Sequence, residues 1–415
     1  MSAVSDKTLT KFLFLLFFIW PVIGIYYTFK YINTYTGRLF YVIIFALIGI
    51  TYTIGNSGYD TYAYFNWFQI QSSLSYGDYW TEIFRRFSIN SLKPEIFQYS
   101  IEFWVSRITD NANIYFCVLS TLLGIGVVKN LSVLTDLYNK NKTIYGVLFI
   151  VFFIVLFSPL RIASFRHYFA ALVFIYSAYQ VIVYGNRKYL FGIFSTILVH
   201  IGFSIAIVLF FIYYFIGNRF WLYIPLVAGS LIFSDSLISF MIENTNVFSG
   251  DFKTKATAYS YEGFIKETQK AHKEGFVLLK IIVEWTRWYF IVFTTYWFIK
   301  IRNMDSGSKG LYMLSVVFFS FTILTQQILA ISNRFSVVYF IICCIYFVRI
   351  FSLYKQKLSF IFTSSTLFIL GLNVLVIGRQ TMEFINASIL LPILPLHLVL
   401  ESNMLLIDIL DFFRK

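Results

Sequence analysis

What most limits this chain is a repeated feature. Apolar runs of about 17–25 residues, each long enough to cross a ~30 Å hydrocarbon core, recur along its whole length. Candidate spans are 12–29, 39–55, 112–128, 143–159, 167–184, 189–216, 220–241, 276–299, 311–331, 335–350, 358–377 and 398–413. The last is short and either crosses or lies flat. Of 415 residues, 59% are hydrophobic and only 13% charged, and no soluble domain of this size hides so much apolar surface. The expected fold is an all-α polytopic integral membrane protein, one domain over 1–415, with about 11–13 transmembrane or re-entrant helices and an extracytoplasmic cavity. The run 12–29 lacks an A-x-A-like cleavage site and reads as a true span, not a removable signal.

Net charge is +13. In a soluble chain this suggests nucleic acid; here the basic residues sit mostly in short loops, where membrane topology explains them first, and no nucleic-acid partner is expected. The segment 189–216 decides the topology. It exceeds the ~20 residues of one span by about eight, and His200 and Gly202 interrupt "STILVHIGFSIAIVLF" in its middle. Read as a hairpin turning at His200, it puts Lys30, Arg38, Lys129, Lys140, Lys142, Arg187, Lys188, Arg219, Lys300, Arg302, Lys309, Arg349, Lys355, Lys357, Arg414 and Lys415 on one side. By the bias of Lys and Arg, that side is the cytoplasm. Read as a single crossing, it scatters them over both faces. Charge counting therefore predicts a re-entrant hairpin, and non-helical backbone at depth is tolerated only where it lines a cavity. The long loops 56–111, 242–275 and 378–397 then share the extracytoplasmic face, and the chemistry is expected there.

Ionisable residues in or beside spans are costly in lipid, and are functional or paired. In "SPLRIASFRHYFAAL" (158–172), Pro159 ends one span and Arg161, Arg166 and His167 open the next. Two guanidiniums there either offer bidentate donors to a pyrophosphate or reach toward lipid headgroups. Arg334 in "ISNRFSVVYF" and Arg379 in "VIGRQTMEF" also stand at outer span ends. Cations converging from separate helices suit a ligand with more than one negative charge. Lys280, Glu284 and Arg287 share one helical face; either they pair among themselves or Arg287 adds to a cationic pocket.

"GYDTYAYFNWF" (58–68) presents Asp60 among Tyr59, Tyr62, Tyr64 and Trp67. The acid either caps a helix or accepts a proton from a sugar hydroxyl while the aromatics hold the ring. His200 is either bonded to backbone at the hairpin tip or acts as donor or base in an outward cavity. Asp78, Glu82, Glu95 and Glu102 are further acids of the same loop, without ranking. Adjacent acids and Asp-x-Asp are absent there, His200 lacks ligand-spaced neighbours, and Cys117, Cys343 and Cys344 lack Cys-x-x-Cys spacing. Neither a metal nor another cofactor is expected. In 242–275 acids and lysines balance, and i, i+4 pairs predict a surface helix over 261–275.

These residues resemble a family. "GYDTYAY" after the second span, the Arg-x-x-x-Ala of "RHYFA", a central His hairpin and the Asn-Arg of "NRFSVVY" look like the EpsG/Wzy-type bacterial polysaccharide (O-antigen) polymerases. The likeness in span layout covers nearly the whole chain. It departs at His167, where Gln is usual, and in "HIGFS", where Ser204 follows His200 by four residues. The resemblance implies a metal-independent glycosyltransferase of polysaccharide and lipopolysaccharide biosynthesis, multi-pass in the bacterial cytoplasmic (inner) membrane. Its active site would face the periplasm. Such an enzyme moves a growing glycan from undecaprenyl pyrophosphate onto a lipid-linked repeat unit; a chain-length regulator, a flippase and membrane lipids are the implied partners. Arg166, His167, His200, Arg334, Asp60 and Tyr64 match its motif positions. Expected catalytic residues are Asp60, His167 and His200, and Arg161, Arg166, Arg287, Arg334, Arg379, Tyr59, Tyr62 and Tyr64 are expected to bind substrate. The alternatives are a lipid-linked oligosaccharide flippase or other transporter and an O-antigen ligase.

Overall fold

The computed structural model describes residues 6–52, 60–88, 95–234, 236, 277–354, 360–382, 405 and 407–409. Tyr59, the loop 242–275 with its expected helix, residues 383–397 and nearly all of 398–413 lie outside them. Among the described residues the elements are helices and no strand: α1 (Asp6–Ile19), α2 (Pro21–Lys30), α3 (Tyr35–Ile50), α4 (Asp60–Ser72), α5 (Tyr76–Phe87), α6 (Phe97–Ser106), α7 (Ala112–Lys140) and α8 (Ile144–Leu156). A 3-10 turn, Pro159–Ser164, leads into α9 (Phe165–Tyr184), then α10 (Leu190–Val199), α11 (Phe203–Ile216), α12 (Tyr223–Phe233), α13 (Val277–Lys300), α14 (Ser306–Leu324), α15 (Leu329–Leu353) and α16 (Phe360–Met382). Five stretches, Ala112–Lys140, Arg161–Tyr184, Ser306–Leu324, Leu329–Leu353 and Phe360–Met382, are long and apolar enough to cross a membrane. The chain is an all-α polytopic membrane protein, as expected. α14 and α15 form its centre, with 83% of their apolar windows buried against 33% for α16, which leaves α16 at the periphery.

Polar residues between the apolar runs start and stop these helices. Thr34 accepts from Gly37 N at 3.0 Å to open α3, Asn111 from Asn113 N to open α7, and Thr143 from Gly146 N to open α8. Each satisfies an amide that has no partner within the helix. Gly185, at φ 67°, ends α9 in the left-handed conformation that a Cβ disfavours.

The bundle has two chemically different ends. At one, Arg38 of α3 bonds Thr135 and Asp136 near the end of α7, and Asn141 donates to Phe351 O of α15 at 3.0 Å. Arg349 holds Asp305 at 2.7 Å there, Gly307 packs on Val183, and Gly310 on Ile182 and Tyr213. Arg187, Lys188 and Lys309 belong to this basic end by chain position. The starts of α7 and α9, the break at His200, the first turns of α15 and the last of α16 occupy the other; there Thr381 donates to Ser158 at 3.0 Å.

The segment 189–216 is a hairpin. α10 runs down α9, with Tyr189 against Tyr176 at 5.7 Å, and reaches His167, whose ring lies 5.7 Å from that of His200. At His200 the backbone turns extended (φ −153°). α11 then returns, from Phe203 beside His167 to Tyr213 beside Gly310. At 1.5 Å per residue α10 is about 15 Å long, half of a hydrocarbon core.

Several boundaries differ from expectation. α7 runs to Lys140, past the expected end at 128, and the stretch 56–111 holds α4, α5 and α6. Two further differences concern the chain's course. The run 12–29 is not one span. Trp20 is extended (φ −156°, ψ 106°) before Pro21, because a proline ring excludes the helical conformation from its predecessor and supplies no N–H. α1 and α2 double back there, bringing the rings of Phe12 and Tyr27 to 5.2 Å. A continuous helix would hold them about 22 Å apart. Thr10 meets Thr36 at 3.2 Å, so α1 starts beside α3 and Lys7 and Lys11 join the basic end. The second difference is a turn at 325–328, earlier than the expected boundary near 332. It places Arg334 in the second turn of α15 instead of at its start.

Candidate functional site

At the less basic end, five separate segments bring ionisable side chains together. The connection before α6 supplies Glu95. Its Oε2 accepts from Arg166 Nη1 at 2.7 Å, and its Oε1 accepts from Ile201 N and from His200 Nδ1, both at 2.8 Å. A carboxylate receiving two other N–H groups donates nothing, so His200 Nδ1 carries the proton of that bond. A Cβ on Gly202 would stand 3.1 Å from His200 Nε2; glycine keeps the space beside that nitrogen open.

Arg166 opens α9 after the 3-10 turn, with its guanidinium 5.7 Å from the Tyr64 ring centre and 5.2 Å from that of Trp67. This aromatic floor comes from α4, where Tyr64 and Trp67 fall on the Asp60 side of the helix. Asp60 is in the first turn of α4, favoured there by the helix dipole. Its carboxylate accepts from Ser164 Oγ at 3.2 Å and faces Arg334 Nη2 at 3.7 Å. His167, buried beside Arg166, donates its Nε2 proton to Arg334 O at 3.2 Å, which ties α9 to α15. Asp60, Arg334, His167, His200, Glu95 and Arg166 thus form one connected cluster with two carboxylates and two guanidiniums. Its outer members, Asp60 and Arg334, have side chains 46% and 33% exposed, against 12% for Glu95; the cluster opens on the Asp60 side.

The other expected residues are placed as follows. Arg161 donates to Leu156 O (2.7 Å), an end carbonyl of α8, and to Tyr168 OH (2.9 Å), and lies over the Tyr168 ring. It caps α8 from the same turn that leads to Arg166. Arg379 is exposed in the last turn of α16, two residues before Thr381, which bonds Ser158 from the opposite face of the helix. Tyr62 is exposed and, two residues from Tyr64 on α4, lies across the helix from Asp60 and Tyr64; the structure does not bring it to the cluster. Arg287 is buried and donates to Thr322 O (3.2 Å) and Ser332 Oγ (3.0 Å), while Ser332 itself donates to Thr322 O. Arg287 thereby caps the C-terminus of α14, where a cation also suits the helix dipole. Among the described residues, no three His, Cys, Asp or Glu side chains gather as metal ligands do.

Glu95 is the centre of the cluster, and the sequence leaves it unranked among the loop acids. One signal could have raised it: guanidiniums and histidines brought to the edge of a membrane need a counter-charge. Further along, Arg86 Nη1 donates to Glu95 O at 2.9 Å, and Glu82 pairs with both Arg85 and Arg86. These donors hold the Glu82 carboxyl below its ordinary range, Arg85 contributing most.

No protein-family model, curated protein or solved structure matches this chain.

Proposed function

We propose that this chain is a glycan polymerase of the bacterial cytoplasmic membrane, transferring a glycan from undecaprenyl pyrophosphate to a sugar hydroxyl of a second lipid-linked unit. The observation that carries the reading is the convergence of Arg166 and Arg334, from separate helices, beside the His200 imidazole and an aromatic floor. The cluster lies opposite the end that gathers Arg38, Arg349, Lys7 and Lys11. By the bias of basic residues to the cytoplasm, the cluster then faces the periplasm.

In this mechanism the acceptor hydroxyl oxygen attacks the anomeric carbon of the donor sugar. The bond from that carbon to the pyrophosphate oxygen breaks, and the electron pair leaves with the pyrophosphate. Arg166 and Arg334 stabilise the charge developing there, as fixed donors do in a site that needs no reorganisation. Arg379, exposed at the same end, is the remaining cation available to the second phosphate, while Arg161 is engaged in capping α8. His200 Nε2 takes the hydroxyl proton, with Glu95 fixing the tautomer and stabilising the imidazolium. Asp60 orients the acceptor, and the buried Tyr64 supports the Arg166 guanidinium from below.

Purified protein in lipid discs, given a lipid-linked repeat unit, tests this directly. Arg166→Ala and His200→Gln are each expected to lower transfer by about 10²-fold or more, at unchanged protein level and fold. In cells, Arg166→Ala and Asp60→Asn strains should display single repeat units. Full-length polymer from both strains overturns the assignment, and the absence of any displayed unit points to a flippase instead.

A further inference from the structure

α5 is amphipathic in an unusual division. At 100° per residue, Tyr76, Phe87, Trp80 and Phe84 occupy an arc of about 80°. Tyr79 and Ile83 extend that apolar arc on one side, and Asp78, Thr81, Glu82 and Arg85 lie across the helix. Among the described residues the Tyr79–Ile83 half packs on α6, Tyr79 stacking on Phe103 at 4.2 Å and on Tyr99 at 5.6 Å, and Tyr76 meets Phe103 edge-on at 5.5 Å. The other half is otherwise bare, with Tyr76 55%, Trp80 51%, Phe84 71% and Phe87 56% exposed. It continues onto α6 through Trp104, 6.1 Å from Tyr76 and 47% exposed.

We propose that this aromatic half of α5 lies in the lipid headgroup region of the leaflet on the Asp60 side, and that the occupant of the bare face is the bilayer. Three observations favour lipid over protein. The bare face consists of Tyr, Trp and Phe, the residues that membrane–water interfaces enrich. The opposite face is charged, as an in-plane helix requires, with Glu82 and Arg85 paired there toward water. Four aromatic side chains of roughly 200 Å² each, a little over half exposed, offer about 450 Å², short of the ~800 Å² per partner of a standard protein interface. A bilayer, in contrast, is what the length and apolar composition of α16 and the other long helices already call for.

The placement has a consequence for the cluster. Arg86, in the last turn of α5, donates to the Glu95 backbone carbonyl, and the Glu95 side chain holds Arg166 and His200. A helix seated among headgroups fixes that connection at headgroup depth, so a lipid-linked ligand reaches the cluster laterally, without leaving the membrane surface. This inference does not depend on the glycan reaction; it holds or fails on the depth of α5 alone.

The native full-length chain, reconstituted in phosphatidylethanolamine–phosphatidylglycerol vesicles doped with a lipid carrying a diazirine near its headgroup, provides the test. After irradiation, mass spectrometry is expected to find adducts on Trp80, Phe84 and Phe87 and none on Thr81 or Arg85. Phe84→Ser together with Phe87→Ser should lower the α5 adduct yield several-fold while α16 adducts stay constant. Adducts confined to the long helices overturn the proposal. So does an α5 yield indifferent to the double substitution, or a zero-length cross-linker joining α5 to a second copy.

Discussion

Glu95 and Glu102 stand one short helix apart and have opposite neighbourhoods. Glu95 meets Arg166, His200 and an amide, so its charge is compensated. Glu102 is buried on α6 and receives only neutral donors, Gln98 Nε2 at 2.7 Å and Tyr115 OH at 3.1 Å. Burial outweighs these bonds and pushes the Glu102 carboxyl up to about 7. The sign of the linkage follows. Below pH 4.5, its ordinary value, Glu102 is neutral folded or unfolded and imposes no penalty. Between that value and about 7 only the folded state keeps the proton, so stability falls as pH rises, by at most about 3–4 kcal/mol at ~1.4 kcal/mol per unit. Thermal unfolding in lipid discs should therefore show a lower Tm at pH 8 than at pH 5. Glu102→Gln, which keeps the acceptor oxygen, should flatten that slope; an unchanged slope removes Glu102 as its cause. None of this was legible in the sequence, where Glu95 and Glu102 are two acids of one loop. What separates them is which side chain from a distant helix arrives beside each.

At the scale of elements, the runs were legible and their interruptions only partly so. The His200–Gly202 interruption reads directly, because a run too long for one crossing and too short for two must fold back with its turn against protein. Pro21 carries an equally physical signal, yet a run of apolar residues on both sides of it reads as a span until α1 and α2 are seen packed on each other. Glycine shows the same divide. A Cβ on Gly49 of α3 would lie 2.6 Å from Phe116 O and from Ser120 Cβ of α7, whereas a Cβ on Gly371 of α16 meets nothing within 4 Å. Gly49→Ala should force α3 off α7 and lose about 1–3 kcal/mol, the usual result of overpacking. Gly371→Ala should be neutral or stabilising, since alanine is the better helix former. Denaturation midpoints of the two variants in the same lipid check the contrast; equal midpoints contradict the close α3–α7 approach.

At the scale of the whole molecule, the cluster and the basic end are separated by the length of the bundle. Ser73, exposed between α4 and α5, stands on the cluster side, and Lys188, exposed between α9 and α10, stands on the other. In intact cells with a permeable outer layer, Ser73→Cys should react with a membrane-impermeant thiol reagent and Lys188→Cys only after lysis. Equal reactivity, or the reverse order, contradicts the proposed orientation. The length and number of apolar runs decided by themselves that this chain is a helical membrane bundle, because only internally bonded helices or closed barrels satisfy a backbone in hydrocarbon and these runs have helical length. The positions of its chargeable residues at run ends were likewise open to reading. Tertiary structure alone decided that Arg166 meets Glu95, that Arg334 meets Asp60, and that Arg161 and Arg287 turn to cap neighbouring helices. The physical reason is that hydrophobic run length is a property of one segment, whereas an ion pair or a cap needs two segments whose distance is set only when the helices pack.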